Sequence, residues 1–324
     1  MEPLPPVTTA TAWASPGTTA DAPRFRSAPT IFDAPAPPSK ALLASPVSRL
    51  QPRTVGQLLD GGFEVLRFRV RTIALVAAAI VLPLYAVPQM LVGLRSASGL
   101  DGLGISGSTF GDAAGALPSD YWTQLGWTFL AAIGLMFATM LTGVAVAHLV
   151  GSWLHGIDPT PGDTLRFVRS RLPVAAGAFA LVLLLKVLVG GLTCSLALVY
   201  LVPVLSVLAP VVAAESLGVI DSIRRTYRLT RRRFWTLLGV SVLWAVTSWL
   251  ISLGASAAAA VVGGLVGAER GAAIALQAVN VVATVVLLAV QVSVTALVYI
   301  DLRVRTEGFD LELEATERFH VPLR

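Results

Sequence analysis

The last long apolar run of the chain, within ALVYIDLRVRTEGFDLELE, stops abruptly. After it, acids and arginines alternate as Asp301, Arg303, Arg305, Glu307 and Asp310. Charges at this spacing are found in catalytic clusters and also in ion pairs at the edge of a lipid-embedded helix. Because the charges begin where the apolar run ends, we interpret them as interfacial ion pairs. The first four of them are expected to fix the last helix against two other cytoplasmic helices.

Three polar side chains interrupt otherwise apolar runs. Lys186 is the one full charge inside such a run, and Asn280 and Gln291 lie within the last run. Ionisable groups inside a membrane are functional candidates by default, but a long lysine side chain near a helix end can also reach the surface. Lys186 lies one to two turns before a GGLTC turn, so we favour the surface interpretation and expect Lys186→Met to be tolerated. Asn280 and Gln291 are expected to hydrogen-bond neighbouring helices rather than bind a substrate.

Two further positions have side chains that are able to do chemistry. Glu215 closes an apolar run, either as a buried coupling carboxylate or, as we favour, as an ion-pair partner of nearby arginines. His148 and His155 share a helix face with Asp158 just beyond, whereas a zinc site needs three or four ligands. Neither a His-Glu-x-x-His motif nor a nucleophile elbow or phosphate-binding glycine loop is present. We therefore expect no catalytic site, no metal and no cofactor.

Composition indicates where these residues lie. The chain has 324 residues, of which 55% are hydrophobic and 13% charged, and its mean hydropathy is +0.75. Soluble domains carry about 25% charged residues, and runs of about 20 apolar residues are typical of membrane-spanning helices. Six such runs predict an all-α integral membrane protein, at about 72–94, 127–150, 172–191, 194–214, 234–261 and 274–300.

The regions outside these runs differ in composition. Residues 1–53 contain 11 of the 20 prolines and few large apolar residues, which predicts a disordered cytoplasmic tail without a signal peptide. Residues 54–312 form the predicted six-span domain, and 313–324 a short C-terminal tail. The one sizeable outer loop, 95–121, is rich in glycine.

Basic residues are distributed unevenly among the predicted loops. Twenty-one lysines and arginines lie on one side and two, Arg95 and Arg270, on the other. Cytoplasmic loops are the ones enriched in such residues, so both termini are predicted to be cytoplasmic, in the cell membrane. The basic residues sit at helix ends, where they would contact anionic lipid headgroups, and they do not indicate nucleic-acid binding. Arginine outnumbers lysine 22 to 2, which we interpret as the codon bias of a GC-rich bacterial genome.

Basic amphipathic segments precede three of the spans. They cover about 54–71, 163–171 and 216–232, and each leads into a two-span hairpin, which predicts one unit that occurs three times. Thr54 and Gln57 have the spacing of a capping box. Polar positions assigned to the membrane interface are Asp60, Arg67, Asp221, Arg224 and Arg228. We expect these segments to lie in the headgroup layer.

Three motifs carry a family resemblance. TVGQLLDGGFEVLR, APVVAAESLGVIDSIRRTYRLTRRRFW and YIDLRVRTEGFD resemble the membrane-domain family named after glycerophosphoryl diester phosphodiesterase, over about residues 50–312. The resemblance implies that, in fused members of that family, phosphodiesterase activity belongs to a separate soluble barrel with a His-Arg-Gly motif. This chain has no His-Arg-Gly motif, so the activity is not carried over.

Three functions remain open at this point. The first is a non-enzymatic scaffold or accessory factor in envelope or lipid processes, in contact with the bilayer and with no protein partner that the sequence identifies. The second is a transporter of a small or amphiphilic solute, which Lys186, Asn280 and Gln291 would serve. The third is a lipid-modifying enzyme that uses Glu215 or His148. A polar cavity in the middle of the membrane would favour transport, and a closed dry core would favour the scaffold.

Overall fold

The structure is a computed structural model that describes residues 54–90, 121–154, 156–193, 196–266 and 269–307. The predicted tail 1–53, most of the outer loop 95–121 and the C-terminal residues 308–324 lie outside these ranges. Asp310, His155 and His320 lie outside them too.

Within the described residues the chain is helical and contains no strand. The helices are α1 (Val55–Phe68), α2 (Val70–Val81), α3 (Tyr121–Leu154), α4 (Pro161–Leu192), α5 (Leu196–Leu205), α6 (Leu208–Ala214), α7 (Val219–Thr230), α8 (Phe234–Val266) and α9 (Glu269–Glu307). A π-helical turn, Leu82–Ala86, continues α2, and the 3₁₀ turn Arg231–Arg233 joins α7 to α8.

Six helical segments in the described part of the chain are long and apolar enough to cross a membrane. They comprise α2 with its π-helical turn, α3, α4, α5 with α6, α8 and α9. This confirms the predicted all-α, multi-pass membrane protein. The predicted hairpin between the third and fourth spans is also present, because α4 ends at Leu192 and α5 begins at Leu196.

The second amphipathic segment differs from its prediction. Residues 163–171 do not form a separate helix, because α4 runs without interruption from Pro161 through the third span. Thr160 caps the start of this helix through a capping box with Asp163, and Pro173 lies inside the helix without interrupting it. The segment therefore continues along the span and cannot lie parallel to the membrane as a separate element.

The other two amphipathic helices are distinct elements. In α1 the Thr54 and Gln57 capping box is formed, as predicted. Arg69, with φ −139° and ψ 52°, interrupts the helical backbone between α1 and α2. In the third unit the 3₁₀ turn separates α7 from α8. Both helices can therefore change direction at the start of a span, which α4 cannot.

The core lies among α2, α3, α6 and α9. Each span has one most apolar window of 18 residues. The buried share of that window is 56% in the α5–α6 and α9 segments, but only 17% in α4 and 11% in the segment that contains α8. Small residues bring the central helices together: a Cβ added at Gly143 of α3 would lie 2.6 Å from the Ala209 Cβ of α6. The peripheral helices α4 and α8 bury less of their surface, and a cavity lies between them and the core.

Candidate functional site: an intramembrane cavity

A cavity of about 540 Å³ lies between α3, α4, α5, α6, α8 and α9. Its wall is mostly apolar. The polar side chains that line it are Thr139, Lys186, Ser206, Ser241, Ser248, Gln291 and Thr295. Because each of these polar side chains comes from the apolar body of a span, the cavity holds polar groups inside the membrane domain.

Lys186 lines this cavity from α4. At about 1.5 Å per residue, it lies about 22 Å along the helix from Arg171 and about 9 Å from Leu192. The hydrocarbon core of a bilayer is about 30 Å thick, so the Lys186 backbone lies within it. Among the described residues Lys186 has no ion-pair partner. Lys186 therefore lines the cavity and also lies about 9 Å from the end of α4, so the surface interpretation stays a prediction.

Gln291 lines the same cavity from α9. Helical rise places it about 18 Å from Arg303, and hence far from the cytoplasmic edge of the span. Asn280, the other polar residue predicted inside this span, is not among the cavity-lining residues. The structure therefore brings Lys186 and Gln291 together in one cavity and leaves Asn280 outside it.

Four hydroxyl groups of the cavity donate to carbonyls of their own helices. Thr139 donates to Leu135 O at 2.8 Å and Ser248 to Trp244 O at 2.8 Å. Ser206 and Thr295 do the same at 2.7 and 2.9 Å. These hydroxyls present their oxygen lone pairs, but no proton, to the cavity. The remaining donor groups among the lining side chains are the ammonium group of Lys186, the amide of Gln291, the hydroxyl of Ser241 and the indole N–H of Trp244.

The wall changes from buried to exposed across the cavity. Leu208, Val292 and Val298 are buried at its floor, whereas Met136 and Val202 at its rim are 47% and 45% exposed. The two rim residues lie in the interior of apolar helices, α3 and α5, and not at their ends. The opening therefore faces sideways, toward the acyl chains of a surrounding bilayer.

A second, apolar groove of about 450 Å³ lies beside the first cavity. It follows the π-helical turn of α2 and includes Pro83, Leu84 and Pro88 in its wall. Phe179 lines both spaces, and its ring packs on Phe137 with the centroids 5.0 Å apart. Phe179 is therefore the shared wall between the cavity and the groove.

Glu215 lies in a separate cluster of charges at the end of α6. Its carboxylate accepts hydrogen bonds from Arg225 Nε at 3.0 and 2.9 Å and from the Tyr299 hydroxyl at 3.2 Å. Arg225 also forms an ion pair with Glu307. The side chains of Arg225, Glu215 and Glu307 are 25%, 18% and 24% exposed, respectively. This cluster joins α6, α7 and α9 and agrees with the ion-pair interpretation of Glu215.

The charged strip at the end of α9 is partly as predicted. Arg303 donates to Glu307 at 3.1 Å, and Arg305 donates to Asp301 at 3.0 and 2.9 Å, both within α9. Glu307 extends the strip to α7 through Arg225. The strip thus connects α9 to the third amphipathic helix.

Five predicted interfacial residues lie on exposed faces: Asp60, Arg67, Asp221, Arg224 and Arg228. Arg224 approaches Asp221 at 3.9 Å. None of the five belongs to the Glu215 cluster. The arginine that does belong to it, Arg225, was not among the predicted site residues, nor was Tyr299. No apolar stripe marked Arg225 in the sequence, because Ser222, three residues before it, is polar although fully buried.

The histidine hypothesis has a different outcome. His148 stacks on Phe167 with the rings 3.9 Å apart and nearly parallel. Asp158 forms an ion pair with Arg69 and accepts a hydrogen bond from Trp153 Nε1 at 3.3 Å. Within the described ranges no three His, Cys, Asp or Glu side chains cluster as metal ligands. His148 and Asp158 therefore make packing and ion-pair contacts.

Comparison of the chain with known protein families, with curated proteins and with solved structures finds no match.

Proposed function

We propose that the membrane domain is a carrier that binds an amphiphilic solute in the cavity between α3, α4, α8 and α9. The observation that supports this proposal is the lining of the cavity, where Lys186 and Gln291 interrupt an apolar wall at membrane depth. Sites for small molecules commonly measure about 300–1,000 Å³ and combine apolar walls with a few polar groups. Secondary transporters also place their substrate sites near the middle of the bilayer.

A filled cavity tests this proposal. Ser248 and Thr247 are neighbours on α8 whose hydroxyls both donate to their own helix at 2.8 Å, but only Ser248 lines the cavity. Ser248→Trp should fill the cavity, and Thr247→Trp is its matched control. Mass spectrometry of the protein purified in nanodiscs should find an amphiphile on the wild type and on Thr247→Trp, but not on Ser248→Trp. Equal occupancy in all three proteins would contradict the proposal.

A scaffold or accessory factor in envelope or lipid processes is a second candidate. It is favoured by the exposed arginines at and after α7, namely Arg224, Arg228, Arg231, Arg232 and Arg233. Anionic headgroups attract such residues by about 1 kcal/mol each. A scaffold without transport predicts that Ser248→Trp leaves the phenotype of a deletion strain fully complemented. The carrier predicts that this variant fails to complement.

The lipid-modifying enzyme has weaker support. Both oxygens of Glu215 accept hydrogen bonds from Arg225, and His148 is stacked on Phe167. Neither residue lines the cavity.

We also propose that the protein lies in the cell membrane with both termini in the cytoplasm. Support comes from the 21-to-2 distribution of basic residues over the two sides. In a Cys194→Ala background, which removes the one native cysteine, a cysteine introduced at Ser106 should react with an impermeant reagent from outside, whereas one at Gln57 or Thr306 should not. Labelling of Gln57→Cys from outside would contradict this orientation.

A relationship to the glycerophosphoryl diester phosphodiesterase membrane-domain family is a further proposal. The three motifs quoted above support it, and residues of two of them, Glu215, Arg225, Tyr299 and Glu307, meet in one cluster. The proposal concerns the membrane domain alone and carries no phosphodiesterase activity.

A further inference from the structure

We propose that the solute is an anionic amphiphile whose head group is bound by Lys186 and whose apolar chain lies along the cavity wall. This inference rests on the proposed carrier function and specifies the chemistry of its solute. The head group is a carboxylate or a phosphate monoester, since either would pair with an ammonium group.

Charge complementarity is the first argument. The lining residues include one cation, Lys186, and no Asp or Glu. The nearest acids of the described cytoplasmic layer, Glu215 and Glu307, are bound to Arg225 and lie outside the cavity wall. A charge in an apolar environment is costly unless it is paired. An anionic head group would pair with Lys186, whereas a neutral or cationic one would leave the ammonium group without a counterion among the described lining residues.

The direction of the hydrogen bonds is the second argument. The hydroxyls of Thr139, Ser206, Ser248 and Thr295 already donate to backbone carbonyls, so they offer acceptors to a ligand. An anion needs donors, and the wall supplies these at Lys186, at the amide of Gln291, at Ser241 and at the indole N–H of Trp244. An anionic head group is therefore expected at Lys186, with Gln291 as a second donor from the opposite helix.

The sideways opening is the third argument. Its rim at Met136 and Val202 is exposed in the middle of apolar helices, so a ligand that enters there comes from the bilayer. A molecule that partitions into lipid and also presents an anion satisfies the rim and the wall together. A free inorganic anion does not partition into lipid and would therefore not enter through this opening.

Lysine chemistry allows a direct test, because Lys40 is the only other lysine of the chain. In a Lys40→Arg background, ¹³C-dimethylation of the amines gives one lysine signal, and methylation retains the charge. The protein in zwitterionic nanodiscs is then titrated with oleate, with oleoyl lysophosphatidate and with neutral oleyl alcohol. A saturable shift of the Lys186 signal is expected with at least one anion and not with the alcohol. The anion that produces it identifies the head-group source.

Affinity measurements with the unmethylated protein complete the test. Lys186→Met should weaken binding of that anion about 10- to 100-fold, as expected for loss of a charged hydrogen bond, and Lys186→Arg should restore most of it. Thermal unfolding of each variant checks the fold. If oleyl alcohol binds as tightly as the anions and Lys186→Met changes nothing, the anionic inference is wrong and the carrier proposal stands. If no amphiphile binds and Ser248→Trp has no effect either, both are wrong.

Discussion

The helices α1 and α7 each precede a two-span hairpin, in the first and third of the predicted units, yet they pack by different chemistry. α1 buries Leu58 and Val65, and its Gly62 lies directly against Val294 of α9. α7 instead buries the small polar residues Ser222, Thr226 and Thr230 together with Leu229, and adds the ion pairs of Arg225. The comparison shows that one layout can be stabilised by close apolar contact or by polar contacts and charges.

The buried faces of the two helices nevertheless coincide. When Asp60 is aligned with Asp221, the buried Gly61 corresponds to the buried Ser222. In the same register the buried Val65 corresponds to Thr226, which is buried as well. An arginine beside α1 and one within α7 each pair with an acid from a loop between hairpins, as Arg69 with Asp158 and Arg225 with Glu215, but these two arginines are not at aligned positions. The aligned buried positions agree with a repeat of the first and third units, whereas the second unit has no separate amphipathic helix.

The largest effect is expected where α1 touches α9. A Cβ at Gly62 would overlap the Val294 side chain and lie 3.2 and 3.3 Å from its backbone N and Cα. Because backbone cannot move aside easily, Gly62→Val should destabilise the protein by about 3 kcal/mol, at the upper end of typical overpacking costs. Thermal unfolding in detergent measures this. The control Gly56→Val, where nothing lies within 4 Å, should unfold near the wild-type temperature.

The sequence predicted the elements of this comparison better than their contacts. Continuous apolar runs are sufficient to place six spans, and the spacing of Thr54 and Gln57 is sufficient to place the start of α1. The burial of Gly62 depends on how α1 meets α9, which no local pattern encodes. The continuity of α4 was missed because its basic first turns, 163–171, were assigned to a separate segment in the headgroup layer. Pro173 lies inside the helix, as prolines can in a membrane bundle.

The next effect concerns the charges that stabilise α7. Arg225→Met would leave Glu215 and Glu307 without their shared partner in a partly buried site, so a loss of about 2 kcal/mol is expected. Arg224→Met is the control, because Arg224 is 66% exposed and its pair with Asp221 measures 3.9 Å. Exposed pairs contribute about 0–1 kcal/mol. Equal unfolding temperatures for the two variants would remove the distinction between α7 and α1.

A smaller difference is expected between the two acids that meet these helices. Glu215→Gln should cost about 1 kcal/mol, because its carboxylate accepts hydrogen bonds from both Arg225 and Tyr299. Asp158→Asn should cost less than about 0.5 kcal/mol, since the Asp158 and Arg69 side chains are 35% and 38% exposed and water screens their pair. The free energy of unfolding in low and in high salt distinguishes the two substitutions further. Asp158→Asn should lower the salt dependence of the free energy of unfolding by a larger fraction than it lowers that free energy itself.

The site was partly visible in the sequence for the same reason that part of it was missed. Lys186 and Gln291 were recognisable because a polar residue is conspicuous in an apolar run. That they share a cavity depends on the rotation of α4 and α9 about their axes. Arg225 was not recognisable, because its buried neighbours Ser222 and Thr226 are polar too. A helix that buries polar residues gives no apolar stripe by which its inner face can be identified.

The last two substitutions exchange single residues between the two helices, and their expected effects on the free energy of unfolding are small. Thr226 is fully buried, and its hydroxyl donates to Ser222 O of its own helix at 2.8 Å. Thr226→Val removes this bond within α7 but places the residue found at the aligned position of α1, so a change within about 0.5 kcal/mol is expected. Val65→Thr adds a hydroxyl to an apolar contact and should cost about 1 kcal/mol. Unfolding of both variants measures the asymmetry. A large loss from Thr226→Val would mean that the Thr226 hydroxyl contributes to packing beyond its own helix, and that the two buried faces are less alike than their alignment indicates.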